Sequence, residues 1–266
     1  MKIYVINLPQ SFDRREHIQS QLHNNNTSFD FITGIDGKNL SPIEKNNLYD
    51  NSKAILYKRE LTAGEIGCAL SHKSIYKKMI EENIERAVII EDDITLKPAF
   101  FDLLPYLNKL PIKNYIVKLE RHKYEIKNDN NFKNACFTPW HRIKLTNKYF
   151  IGQPLYSPSS TLAYYIDILA ARNLYSAIPK IFLVADAWWY YRKFVLLRML
   201  NKAIVVNDED IFHSVIGGRN FYADHIPIKK TAFNNFKKTI KDFIRMLFLF
   251  FDYSPTLSKQ WKNKGV

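Results

Sequence analysis

Glu91, Asp92 and Asp93 are three consecutive carboxylates that close an apolar run, Ala87-Val88-Ile89-Ile90. Four aliphatic residues bounded by charge read as a buried strand, and the carboxyl end of a strand is where an open α/β sheet usually binds its ligand. Adjacent acids repel one another unless something positive joins them. If the strand alternation continues, Glu91 and Asp93 share one face and Asp92 takes the other, giving a pair of hard oxygen ligands suited to Mg²⁺ or Mn²⁺. A solvated acidic turn is the plain alternative. Arg14 and Arg15 stand where guanidinium groups could meet a phosphate-bearing ligand, although arginines on a first helix are usually just solvated. Asp36 could hold a ribose or base, or cap the turn after it. Ser71 and His72 interrupt an apolar helix, and a lone helical histidine is more often structural than a ligand. Asp186 falls at an expected helix start, suited to a base or simply to an N-cap.

The elements that would position these groups follow in order. A strand over Ile3 to Asn7 leads through Leu8-Pro9-Gln10 to Ser11, which caps a helix carrying Ile18 and Leu22 one turn apart. A second strand, Phe29 to Ile32, breaks at Gly34. After a polar segment from Ser41 to Lys58, Thr62 and Glu65 have capping-box spacing and open a helix with Ile66, Leu70, Tyr76, Met79 and Ile80 on one face. The strand through Val88 completes a β-α-β-α-β order, which predicts a parallel, Rossmann-like sheet with right-handed crossovers. Further on, the pattern predicts a strand over Tyr115 to Leu119 and an irregular region from Glu120 to Pro158. It then predicts a strand from Ser159 to Ile166, a helix from Asp167 to about Ile178, an apolar helix from Ala187 to Leu200 and a short strand from Ala203 to Val206.

Composition bounds the rest. The 266 residues are 46% hydrophobic, enough for a full α/β core. A formal charge of +13 calls for an acidic partner: nucleic acid, an anionic membrane surface or a phosphorylated substrate. Cys68 and Cys136 form no metal or disulfide spacing and read as thiols in a reducing compartment. The amino terminus has no secretory pattern, and no window approaches the roughly 20 apolar residues of a membrane span. Residues 229–266 carry nine Lys or Arg against Asp242 and Asp252, a net of +7. There Phe233, Phe236, Ile240, Phe243, Ile244, Leu247 and Phe251 form one stripe. A basic helix with an aromatic face reads as a membrane-interface anchor, with packing on the domain as the competitor. The expected organisation is thus a catalytic domain, 1–228, and a basic amphipathic tail, 229–266.

Taken jointly, Ile6-Asn7-Leu8 with Asp13-Arg14-Arg15, Gly64-Glu65-Ile66-Gly67-Cys68 with Leu70-Ser71-His72, and Ile90-Glu91-Asp92-Asp93 resemble glycosyltransferase family 25, the lipooligosaccharide galactosyltransferases of Gram-negative bacteria. The likeness runs over roughly residues 1 to 220. It implies a GT-A fold, a UDP-sugar donor (commonly UDP-galactose) and inversion at the anomeric carbon. On this resemblance the acidic triplet is the counterpart of a DxD motif, with Glu91 and Asp93 on Mn²⁺ or Mg²⁺. Asn7, Leu8, Arg14, Arg15, Asp36, Ser71, His72 and Asp92 would surround the donor. Val184-Ala185-Asp186 looks like the family's Pro-Val-Asp, with the acid kept. His213 matches by layout only, as a late metal ligand.

The expected function is therefore a metal-assisted, inverting hexosyltransferase. It would work with Asp186 as base on a lipooligosaccharide or lipopolysaccharide acceptor, peripherally at the cytoplasmic face of the bacterial inner membrane. Nucleic acid is not expected as a partner. A basic membrane- or nucleic-acid-binding module, or another metal-dependent nucleotide-sugar enzyme, is the alternative. The first would explain the charge but not a buried strand ending in three acids.

Overall fold

The computed structural model describes residues 1–56, 59–120 and 137–207, together with 247, 249 and 250. His213, Cys136, the acids from Asp208 to Asp210, and the 228/229 boundary with most of the tail lie outside the described residues.

The first half alternates as its patterning requires: β1 (Lys2–Asn7), α1 (Phe12–His23), β2 (Asp30–Thr33), α2 (Pro42–Leu48), α3 (Asn51–Leu56), α4 (Ala63–Glu81) and β3 (Arg86–Glu91). Then come β4 (Ile94–Leu96), α5 (Pro98–Asn108), β5 (Tyr115–Lys118), β6 (Ile143–Lys144), β7 (Phe150–Gly152), β8 (Ala163–Asp167), α6 (Ile168–Ala177), α7 (Trp188–Tyr191), β9 (Leu196–Leu200) and β10 (Val205–Asn207). Eight strands make one sheet in the order β2-β1-β3-β8-β5-β9-β7-β6, while β10 and β4 pair as a separate antiparallel ribbon. Of the eight, only β7 and β8 run against the rest. This is the α/β, mostly parallel architecture expected of the chain.

The sheet is buried on both faces, which is why β3 reads as unbroken apolar sequence: Ala87 through Ile90 are all fully buried. One face packs on α4 and α6 through Tyr4, Ile66, Met79, Ile89 and Leu174. The other packs on α1 and α5 through Val5, Ile18, Leu22, Val88, Phe100 and Leu107. Burying each large aliphatic contributes about 2 kcal/mol. The Thr62–Glu65 capping box forms, and Glu65 also takes two hydrogen bonds from Arg59.

Three expectations are corrected. The polar segment from 41 to 58 holds α2 and α3, α2 being started by a second capping box, Ser41 with Glu44, and by Pro42 at its first turn. The apolar run from 187 to 200 is not one helix: it is the single turn α7 followed by β9, which lies between β5 and β7. A continuous apolar run cannot separate a buried helix from a strand buried on both faces, and here pairing on two sides wins. The irregular region also contains the short strands β6 and β7.

Register converges the site. Ile6 is opposite Glu91, so Asn7 and Asp92 emerge side by side, and the Gly34 N–H donates to the Asn7 carbonyl. Because β8 is antiparallel, its beginning lies at the end of β3, and the Glu91 N–H donates to the Leu162 carbonyl. Met1 lies at the opposite edge of the sheet, at the start of β1.

Candidate active site

The strand ends at Glu91, and Asp92 and Asp93 form the bend that follows. The expected alternation, with Glu91 and Asp93 on one face and Asp92 on the other, is thereby corrected: both aspartates turn toward Arg14, whose Nη1 lies 3.3 Å from Asp92 Oδ1 and 3.2 Å from Asp93 Oδ2. Asn7, 3% exposed, donates from Nδ2 to Asp92 Oδ2 at 2.6 Å and to the Ser11 carbonyl at 3.1 Å. Asp92 is thus engaged on both oxygens. Asp93 Oδ1 is different: it is buried and has no hydrogen-bond partner.

Burial and the neighbouring Glu91 charge push the Asp93 carboxyl up to about 7, against the pull of Arg14. Burial also raises Asp92, while Asn7 and Arg14 oppose it. So much anionic character with one guanidinium to balance it is a place a divalent cation would relieve. The unpartnered oxygen of Asp93, with the Glu91 charge beside it, fits the divalent cation that the resemblance implies.

These acids line an open cleft of about 110 Å³, shared with Leu8, Arg14, Asp36, Ser71 and His72. Asp36 folds its own turn, accepting from the Lys38 N–H at 3.0 Å and from Gln10 at 3.3 Å. Ser71 accepts from the Ile35 N–H at 2.8 Å and donates to the Gly67 carbonyl, which fixes the turn after β2 against α4. That contact requires glycine: a Cβ on Gly67 would lie 2.3 Å from the Ile35 carbonyl oxygen, and one on Gly37 would lie 1.8 Å from that of Ala63. Two expected site residues stand behind the lining. Asn7 acts through Asp92, and Arg15 lies on the surface with its guanidinium 3.7 Å over the Phe31 ring.

His72 is buried, with Nδ1 2.8 Å from the Tyr164 hydroxyl and Nε2 3.4 Å from Glu91 Oε1. Cys68, one helical turn before it, completes a cluster in which the ligand atoms of Cys68, His72 and Glu91 all lie within 4.8 Å of one another. The reading of Cys68 as a thiol without metal spacing is corrected to this extent, since an i, i+4 Cys–His pair on one helix face was a readable signal.

Asp186 does not cap α7, whose N-cap is Ala187. Its Oδ2 accepts from the Ser160 N–H at 2.9 Å, outside the cleft lining. Ser160 has a left-handed backbone, φ 69°, a conformation rare for a non-glycine residue. Its carbonyl is held by Lys118 Nζ and by Trp188 Nε1. The next residue, Thr161, donates to Glu91 Oε1 at 2.5 Å. Lys118 pairs with Glu120 in the interior, each 1% exposed, and burial pushes Glu120 up to about 6 against the attraction of Lys118. These residues, of which the sequence marked only Glu120 as an alternative base to Asp186, link Asp186 to the acidic turn.

Residues 1–189 match the family model of glycosyltransferase family 25, described as an LPS biosynthesis protein. The chain belongs to glycosyltransferase family 25. It is 25% identical over 193 residues to the human procollagen galactosyltransferase 2, covering 67% of this chain and 28% of that protein. It is 35% identical over 105 residues to a glycosyltransferase 25 family member of Aedes aegypti, covering 37% and 17%. The chain therefore spans less than a third of the length of these relatives. A solved glycosyltransferase involved in glycosylating the major capsid of PBCV-1 aligns over 66% of this chain and 64% of its own, with a TM-score of 0.29 and 10% identity. The mostly parallel α/β sheet, with a β-α-β-α-β unit ending in an acidic turn, is the architecture that the motifs led one to expect.

Proposed function

We propose that this member of the family is an inverting galactosyltransferase that uses UDP-galactose and a lipooligosaccharide or lipopolysaccharide acceptor sugar, working peripherally at the cytoplasmic face of the inner membrane. The observation that carries the donor reading is Asp93 Oδ1, a buried carboxylate oxygen without a hydrogen-bond partner on a residue that lines the cleft. Galactose is favoured by the galactosyltransferase names of the relatives. Among the described residues no helix is long and apolar enough to cross a membrane, which accords with a peripheral placement.

In this mechanism Asp93 and Glu91 hold Mn²⁺ or Mg²⁺, which when bound offsets the charge that builds on the leaving diphosphate. Asn7 and Arg14 hold Asp92, and Arg14 also holds Asp93 Oδ2, which leaves Asp93 Oδ1 as the oxygen that would meet the cation. Asp36 and the turn fixed by Ser71 present the wall against which the nucleoside lies. Asp186, on the other side of the Ser159–Thr161 turn from Glu91, accepts the proton of the acceptor hydroxyl as it attacks from the face opposite UDP. The test is a thermal-shift screen of nucleotide sugars with and without Mn²⁺, on the wild type and on Asp93→Asn. A Mn²⁺-dependent shift with UDP-galactose that the variant loses is expected. Full transfer by Asp93→Asn in the presence of a chelator would remove the metal from the mechanism, and no shift with any nucleotide sugar would remove the donor site.

A further inference from the structure

We infer that Cys68, His72 and Glu91 form a zinc site inside the cleft, one that Zn²⁺ takes in competition with the hard cation of the donor complex. The metal-binding half stands on geometry alone; the competition half rests on the donor reading of the cleft. Cys68 and His72 are four residues apart on α4, so their side chains leave one face of the helix one above the other, and Glu91 reaches them from the end of β3.

A tetrahedral zinc with bonds of roughly 2.0–2.3 Å places neighbouring ligand atoms roughly 3.5 Å apart. His72 Nε2 and Glu91 Oε1 already stand 3.4 Å apart, and the full set spans no more than 4.8 Å. The imidazole is aimed from behind: Nδ1 is held by the Tyr164 hydroxyl, which is in turn 2.9 Å from the Tyr76 hydroxyl, leaving Nε2 as the nitrogen that faces the cluster. Thr161 donates to Glu91 Oε1, the oxygen nearest His72, and so fixes the carboxylate at the cluster while competing with an ion for that oxygen. All three ligand residues line the open cleft, which gives the ion an entry path and leaves the fourth coordination position open.

Thiolate and imidazole select zinc over Mg²⁺ and Mn²⁺, whereas Asp93 with Glu91 offers oxygen alone, a donor set that suits the harder cations without excluding zinc. Binding replaces the Cys68 thiol proton with the metal and releases that proton, with no change of oxidation state. Glu91 belongs to both sets and cannot serve both ions at once.

The test uses the full, metal-free chain, with Co²⁺ as an optical stand-in for zinc. One equivalent should give a thiolate-to-cobalt charge-transfer band that Zn²⁺ abolishes and that Cys68→Ser lacks. No band in the wild type, or a band that survives Cys68→Ser and so belongs to Cys136, overturns the site. Should that variant not fold, alkylation of the wild type decides, read at Cys68 by peptide mapping: Zn²⁺ should protect the thiol where Mn²⁺ does not, and equal labelling refutes the inference. In a third arm, Zn²⁺ should shrink the UDP-dependent melting shift of the wild type in Mn²⁺ but not that of Cys68→Ser. Equal shrinkage in both overturns the competition. A wild type with no UDP shift at all sinks the donor reading, while the cobalt band still decides the zinc site.

Discussion

Asp186 is held by the Ser160 N–H, and that contact separates two roles that a single substitution can distinguish. Asn at this position keeps an acceptor for the Ser160 N–H but cannot take a proton. If Asp186 is the base, Asp186→Asn should lower kcat by roughly 10²-fold or more while UDP and Mn²⁺ affinities persist. Near-normal turnover with a lowered melting temperature would leave Asp186 as the anchor of the Ser160 turn only. The buried carboxyls carry a second expectation. Asp93 is pushed to about 7 and Glu120 to about 6, so each holds a proton in the folded state that the unfolded chain releases nearer pH 4. The stabilisation from that proton is present at low pH and is lost as pH rises through about 7. Metal-free protein should therefore melt lower at pH 8 than at pH 5, and Asp93→Asn should reduce the difference; an unreduced difference would place the proton elsewhere. The acidic triplet itself was legible because four aliphatics led into it. That Asp92 is occupied by Asn7 and Arg14 was not, since both partners come from β1 and α1 and meet it only through strand register.

At the scale of elements, the close approach of the turn after β2 to α4 is the most exposed to test. Gly→Ala inside a helix ordinarily gains about 0.5–1 kcal/mol. Here the added Cβ of Gly67→Ala would meet backbone, the Ile35 oxygen at 2.3 Å and the Gly37 nitrogen at 2.6 Å, so the sign reverses. Calorimetry should show a loss of roughly 1–3 kcal/mol, and UDP affinity should fall because the displaced turn lines the cleft. An unchanged melting temperature would show that the turn can back away. Apart from α2 and α3, the main elements of the first half could be read from sequence because caps and alternation agree there, as at Thr62–Glu65. The stretch from 187 to 200 could not. Leu196 to Leu200 become a strand only through partners distant in the chain, β5 and β7, whose pull no local pattern reports. The Lys118–Glu120 pair was hidden for a related reason: two charges of opposite sign two residues apart look like solvated surface until the neighbouring strands close over them.

For the whole molecule, two of the described tail residues, Leu249 and Phe250, pack on the domain. Leu249 is 2% exposed, the Phe250 ring stands edge-on to Trp140 at 5.2 Å, and the Phe250 carbonyl takes a hydrogen bond from His141 Nε2 at 2.7 Å. Packing on the domain, the competitor to a membrane anchor, thus holds for these residues, while Leu247 remains half exposed. Removing everything after Ile228 should cost about 2 kcal/mol through Leu249. It should also release the protein from anionic vesicles, because it deletes a net charge of +7, and it should spare transfer to a short soluble acceptor. Sedimentation with vesicles decides this, and undiminished binding by the truncated chain would locate the membrane-facing charge in the domain. The direction of β1 has a practical side as well. Its six residues span roughly 20 Å, with Asn7 at the cleft edge and Met1 at the other. A sensor chip or resin coupled through an amino-terminal tag would therefore grip the protein from behind and leave the cleft open to solution. Nucleotide binding measured on such a surface should match binding measured free in solution.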